Sequence, residues 1–123
     1  MDLGNFSVSL AVSDINASRR FYETLGFQSI GGDVDQGWLI LTNGTANIGL
    51  FQGMFEKNLL TFNPGWNADA TTKDDFEDIR AIQSRLKDAG ITFESEADPN
   101  STGPASFMVI DPDGNPVLVD QHV

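Results

Sequence analysis

The chain has 123 residues, 40% hydrophobic and 10% aromatic, a composition that suits one compact folded domain and excludes a disordered segment. Eighteen acidic against seven basic side chains leave a net charge of −11, which repels phosphate backbones and anionic bilayers and so argues against nucleic-acid and membrane partners. Cysteine is absent, which removes disulfides, thiolate metal sites and thiol nucleophiles. Residues 1–20 lack the basic-then-apolar start of a signal peptide and no apolar run reaches spanning length, so the expected location is cytoplasmic.

Residues 5–13 alternate, with Phe6, Val8, Leu10 and Val12 on one face and Asn5, Ser7, Ser9, Ala11 and Ser13 on the other. This predicts a strand whose apolar face is buried. Asp14 or Asn16 can cap the helix that follows, whose apolar stripe is Ile15, Phe21, Tyr22 and Leu25 and whose stop is Gly26. Three strands are predicted at 27–33, 36–42 and 46–52, punctuated by Gly31-Gly32 and Asn43-Gly44, and then an irregular stretch at 53–58. Leu59-Leu60-Thr61-Phe62 reads as a strand ended by Asn63-Pro64-Gly65, and the long polar segment 64–74 that carries Trp66 is a candidate lid. Asp74 and Glu77 read as the capping box of a second helix, with Phe76, Ile79, Ile82, Leu86 and Ala89 at helical spacing and Gly90 as its stop. Strands follow at about 91–96, 105–110 and 116–121, the last two joined by a tight turn at Asp111-Pro112-Asp113-Gly114-Asn115. The same element order therefore occurs twice, over 1–53 and 58–123, which gives an α+β fold of two βαβββ modules in a single domain, residues 1–123. Asp14-Ile15 matches Asp78-Ile79, and Leu25-Gly26-Phe27 matches Ala89-Gly90-Ile91, at one common offset.

The opening strand–helix–glycine segment, the helix end Arg85-Leu86-Lys87-Asp88-Ala89-Gly90-Ile91 and the closing Asp111-Pro112-Asp113-Gly114-Asn115-Pro116 stand in an order that resembles the vicinal oxygen chelate superfamily. That family includes glyoxalase I, extradiol dioxygenases, fosfomycin-resistance enzymes and bleomycin-resistance proteins. The resemblance covers essentially the whole chain. It implies curved mixed β-sheets that hold a ligand in their concave face, often completed by a second subunit, so a homodimer is expected. In metal-dependent members four inward-facing strand residues, usually two histidines and two glutamates, bind one divalent ion. Carried over by position, these become Ser7, Gly49, Leu59 and Leu118. Glycine and leucine side chains cannot coordinate a metal and a neutral serine hydroxyl does so poorly, so the expectation is no metal and no cofactor.

The ligand-contact candidates are the aromatics Trp38, Phe51, Phe62, Trp66 and Phe107, with Asp120 in phase with Leu118 on the last strand. Asn63 before proline reads as turn chemistry, and Arg19, Arg20, Arg80 and Arg85 read as helix surface charges. His122 is the sole near-neutral titrating side chain and reads as a solvated tail. Three functions stay open. The first is a metal-independent protein, similar to bleomycin-resistance proteins, that encloses a cationic or aromatic organic ligand in an aromatic-lined cup. The second is a glyoxalase- or dioxygenase-type enzyme with displaced ligands, which requires acids such as Asp33, Asp35, Glu56 or Asp120 to gather at one point. The third is a non-catalytic domain that acts through dimer or partner contacts.

Overall fold

The computed structural model describes residues 1–123. Its elements are β1 (Asn5–Val12), α1 (Ile15–Thr24), β2 (Gln28–Asp33), β3 (Trp38–Thr42), β4 (Asn47–Gln52), β5 (Leu59–Asn63), α2 (Ile79–Asp88), β6 (Phe93–Ser95), β7 (Ala105–Ile110) and β8 (Pro116–Gln121), with a 3-10 turn at Val34–Gln36. This is βαβββ twice, an α+β architecture. In the first module β1 runs parallel to β4, and β3 runs antiparallel to both β4 and β2. The second repeats the plan, with β5 parallel to β8 and β7 antiparallel to both β8 and β6. The chain divides into two compact units, Ser7–Leu59 and Leu60–Val123, the latter joined by Met1–Phe6. No helix is long and apolar enough to cross a membrane.

In the Ser7–Leu59 unit, Ile15 of α1 packs on Leu39, Leu41 and Leu50, with Leu10, Val12, Tyr22, Phe27 and Ile48 around them. These strand positions share one parity, so they form the face turned toward α1. Asp14 caps the helix, its Oδ1 accepting from the backbone N–H groups of Asn16 and Ala17 at 3.1 Å each. Gln52, the last residue of β4, adds a second acceptor, its Oε1 lying 2.8 Å from the Ile15 nitrogen.

The expectation for β1 is reversed at its start. Asn5, Ser7 and Ser9 are 8%, 7% and 2% exposed, whereas Phe6 is 43% exposed. The parity of Asn5, Ser7 and Ser9 is the more deeply covered, and short polar side chains tolerate such cover where their groups find partners. Asn5 Nδ2, for example, donates to the carbonyls of Asn67 and Ala68 at 2.8 and 3.2 Å. The apolar parity still packs under α1 through Leu10 and Val12.

In the Leu60–Val123 unit the core is Ile79 and Ile82 of α2 on Phe107 and Val119, with Leu3, Phe62, Leu86, Phe93, Ala105 and Val109 packed around them. The helix starts later than the Asp74–Glu77 signal predicts. Asp78 is its cap, accepting from Arg80 N at 2.9 Å, and the buried Gln121 places Oε1 2.8 Å from Ile79 N. A buried acceptor at that nitrogen fixes the first turn more firmly than an exposed capping box. The predicted strand at 91–96 shortens to Phe93–Ser95, where the register against β7 shifts. The duplication is thus visible in chemistry: an aspartate cap, an isoleucine, and a glutamine from the module's last strand bond each helix start in the same way.

Candidate functional site

Strand alternation and register place one row of side chains on the face of the Ser7–Leu59 sheet turned away from α1. Trp38 pairs with Phe51, and Ile40 with Gly49, across β3 and β4; Ser9 pairs with Gly49, and Ala11 with Phe51, across β1 and β4. Ser7 has the same parity as Ser9. The rings of Trp38 and Phe51 stack at 6.4 Å with an interplanar angle of 10°, and Phe55 follows at 5.3 Å from Phe51. All three are half-buried. Phe51 leans over Gly49, so that a β-carbon there would lie only 2.6 Å from Phe51 Cε2. The space into which a coordinating side chain at position 49 would project is therefore held by a benzene ring.

The other positions to which the resemblance assigns ligands fare no better. Ser7 is buried, Leu59 is 5% exposed at the start of β5, and Leu118 pairs with Thr61 and Met108. A serine, a glycine and two leucines do not fit a divalent ion. Nowhere do three or more His, Cys, Asp or Glu side chains gather in a way that could hold one. None of Asp33, Asp35, Glu56 and Asp120 belongs to such a group. Asp33 is engaged locally, accepting from Asp35 N at 2.9 Å.

Two expected ligand contacts belong to the core. Phe107 is fully buried and Phe62 packs beside it, both on the side of their strands that faces α2. Phe62 also meets Phe6 at 5.0 Å. Apolar residues occur at both parities of β5 and β8, so alternation alone cannot assign a face, and packing against Ile79 and Ile82 decides it.

Trp66 and Asp120 lie elsewhere in that unit, and they share a neighbour, His122, that the sequence pattern presents as a solvated tail. Asp120 has the parity of Leu118, pairing with Ser106 of β7, and its Oδ2 is 2.9 Å from Nε2 of His122. The His122 ring meets Trp66 edge to face at 4.7 Å. Asp120 raises the His122 pKa above its ordinary value by accepting its hydrogen bond and by its charge, against a smaller opposing effect of burial. His122 was legible as two residues from Asp120, just past the end of β8, where continued alternation puts both on one side; Phe55, in an irregular stretch, gave no such signal.

The matching family description is Glyoxalase/Bleomycin resistance protein/Dioxygenase superfamily, over residues 6–119. A superfamily member of known structure from Vibrio splendidus 12B01 is 20% identical, with a TM-score of 0.63 over 95% of this chain and 97% of its own. A Legionella pneumophila protein described as an NAD-dependent benzaldehyde dehydrogenase is 18% identical, with a TM-score of 0.71 over 96% and 99%. Homoprotocatechuate 2,3-dioxygenase from B. fuscum, as a variant, is 20% identical, with a TM-score of 0.53 over 98% of this chain and 33% of the dioxygenase. At such identities the likeness is one of fold. No curated protein matches the chain in sequence. Because the family match runs across nearly all of it, the chain belongs to the Glyoxalase/Bleomycin resistance protein/Dioxygenase superfamily.

Proposed function

We propose that the protein binds a small organic ligand without the help of a metal ion, in the manner of the bleomycin-resistance branch of its superfamily, on an aromatic surface built from Trp38, Phe51 and Phe55. The observation that carries this reading is the ring of Phe51 lying across Gly49 and stacked on Trp38. Two parallel rings followed by a tilted third offer faces to a planar or apolar ligand. The charge of −11 favours a ligand that is neutral or cationic. By the same reading the protein is a homodimer, to be checked by sedimentation for a mass twice the 13.4 kDa chain.

Titration with berberine, a planar aromatic cation, tests the binding claim. Saturable quenching of tryptophan fluorescence is expected, with affinity about tenfold weaker in Trp38→Ala, the scale of one aromatic anchor. Quenching that is absent, or unchanged in that variant, would remove the aromatic row from the proposal. Elemental analysis of exhaustively dialysed protein tests the other half: stoichiometric zinc, nickel, manganese or iron would overturn metal independence.

A further inference from the structure

Asp120, His122 and Trp66 meet in the Leu60–Val123 unit, outside the aromatic row. The turn that presents Trp66 is tied down on both sides. Asn63 accepts from Trp66 N through its carbonyl at 3.2 Å and from Gly65 N through Oδ1 at 3.1 Å, while the Trp66 carbonyl accepts from Asn5 N at 3.0 Å. Asn63 is 5% exposed, and its Nδ2 is buried with no hydrogen-bond partner. The side chains of His122 and Asp120 stay 36% and 35% exposed, so solvent and small molecules reach them. This corner thus combines an oriented imidazole, a carboxylate behind it, an indole beside it and an unmatched amide donor beneath the same turn.

We propose that His122, positioned by Asp120 and flanked by Trp66, acts as a nucleophile toward neutral, activated acyl compounds such as aryl esters, and hydrolyses them. With the Nε2 proton directed at Asp120, the lone pair of the neutral ring is left on Nδ1. That nitrogen adds to the ester carbonyl, the carbon–oxygen bond to the aryl group breaks, and the aryloxide departs with the bonding pair. Asp120 stabilises the positive charge that the ring acquires as the acyl–nitrogen bond forms, and the Nε2 proton then passes to water. A second water adds to the acyl-imidazole, the carbon–nitrogen bond breaks, and the carboxylic acid leaves with the ring restored; overall, ester and water become acid and phenol. Trp66 supplies a flat apolar wall for the aryl group. Neutral esters are the class that fits, because the acidic chain and Asp120 itself disfavour anionic donors. The elevated basicity of His122 suits a nucleophile, and the proposal stands independently of the binding reading above.

The test is release of 4-nitrophenolate from 4-nitrophenyl acetate by the full chain. Because His122 is the only histidine, His122→Gln removes every imidazole, and its rate should fall to that of buffer. The wild type should exceed an equal concentration of N-acetylhistidine by about tenfold or more, a modest share of what oriented proton-transfer and nucleophilic groups supply. Asp120→Asn should lower the rate several-fold and move the midpoint of the pH–rate profile down toward that of free histidine, with Asp120→Glu restoring part of both. Trp66→Phe, a conservative change that keeps the fold, should raise KM more than it lowers kcat. Far-UV circular dichroism verifies that each variant is folded. Wild-type turnover no faster than N-acetylhistidine, full activity in folded His122→Gln, or an unshifted profile in folded Asp120→Asn would each overturn the proposal.

Discussion

Gly49 and Gly4 show how differently two added methyl groups are felt. At Gly49 the methyl meets side-chain atoms, the edge of the Phe51 ring and Ile40 Cδ1, and the ring can swing, so Gly49→Ala should unstack Phe51 from Trp38 and cost about 1–3 kcal/mol, the usual range of overpacking. Near-UV circular dichroism reads the unstacking, and denaturant titration the stability. At Gly4 the backbone has φ of +72° and a β-carbon would fall 2.0 Å from the Asn63 carbonyl oxygen. Neither can give way, so Gly4→Ala should exceed the Gly49→Ala penalty in the same titration. The pairing of His122 with Asp120 has its own pH signature. A histidine pKa raised by folding stabilises the fold fully below the unfolded value of about 6.5, and the contribution fades as pH rises through the folded value. Asp120→Asn should therefore lower the thermal midpoint at pH 5.5 and leave it nearly unchanged at pH 9, these being roughly one pH unit below and well above the free-histidine value. At this scale the Asp120–His122 pair was within reach of the sequence, because the two residues stand two apart. The packing of Phe62 and Phe107 toward α2 was not, because their strands carry apolar residues on both faces.

The helices owe their starting points to glutamines that lie far away in sequence. Gln121 is 1% exposed, and its loss leaves the Ile79 N–H buried without a partner, so Gln121→Ala should cost about 1–3 kcal/mol. Gln52 bonds Ile15 N in the same way but is exposed, and water can replace it, so Gln52→Ala should cost less, about 0.5–1 kcal/mol. Urea titration of the two variants separates them. Burial pushes the Asp78 carboxyl up, but hydrogen bonds from the Arg80 backbone and guanidinium and from Gln121 outweigh it and hold the pKa below the ordinary aspartate value. Its stabilisation is then present above the unfolded pKa, about 3.9, and is lost as pH falls through the folded one. Asp78→Asn keeps a capping oxygen but removes the charge paired with the Arg80 guanidinium, so it should destabilise at neutral pH by up to about 1 kcal/mol, with the difference from wild type closing in strong acid. Element order and the Asp14 cap could be read from the chain because their signals are local. The true start of α2 could not, since Asp74 and Glu77 offered an equally good local cap and the deciding contact comes from Gln121.

For the molecule as a whole the dominant long-range term is the charge of −11, which repels itself most strongly when the chain is compact. Added sodium chloride should raise the thermal midpoint until the Debye length falls to about 3 Å near 1 M, and a midpoint insensitive to salt would show that this self-repulsion does not limit stability. The repeated βαβββ plan was legible because it rests on the order of turns and periodicities. The membership of the first six residues was not, because their partners lie some sixty positions away. Leu3 belongs to the core built on Ile79 and Phe107, Asn5 holds the Trp66 loop, and Phe6 rests on Phe62. The boundary between the two units thus falls inside β1, between Phe6 and Ser7, and again inside β5, between Leu59 and Leu60. Homologous chains recombined once, in the irregular stretch 53–58, would inherit a strand start from one parent and the loop and core that it must fit from the other. Viable chimeras should therefore be those that exchange the first six residues together with everything from residue 60 onward.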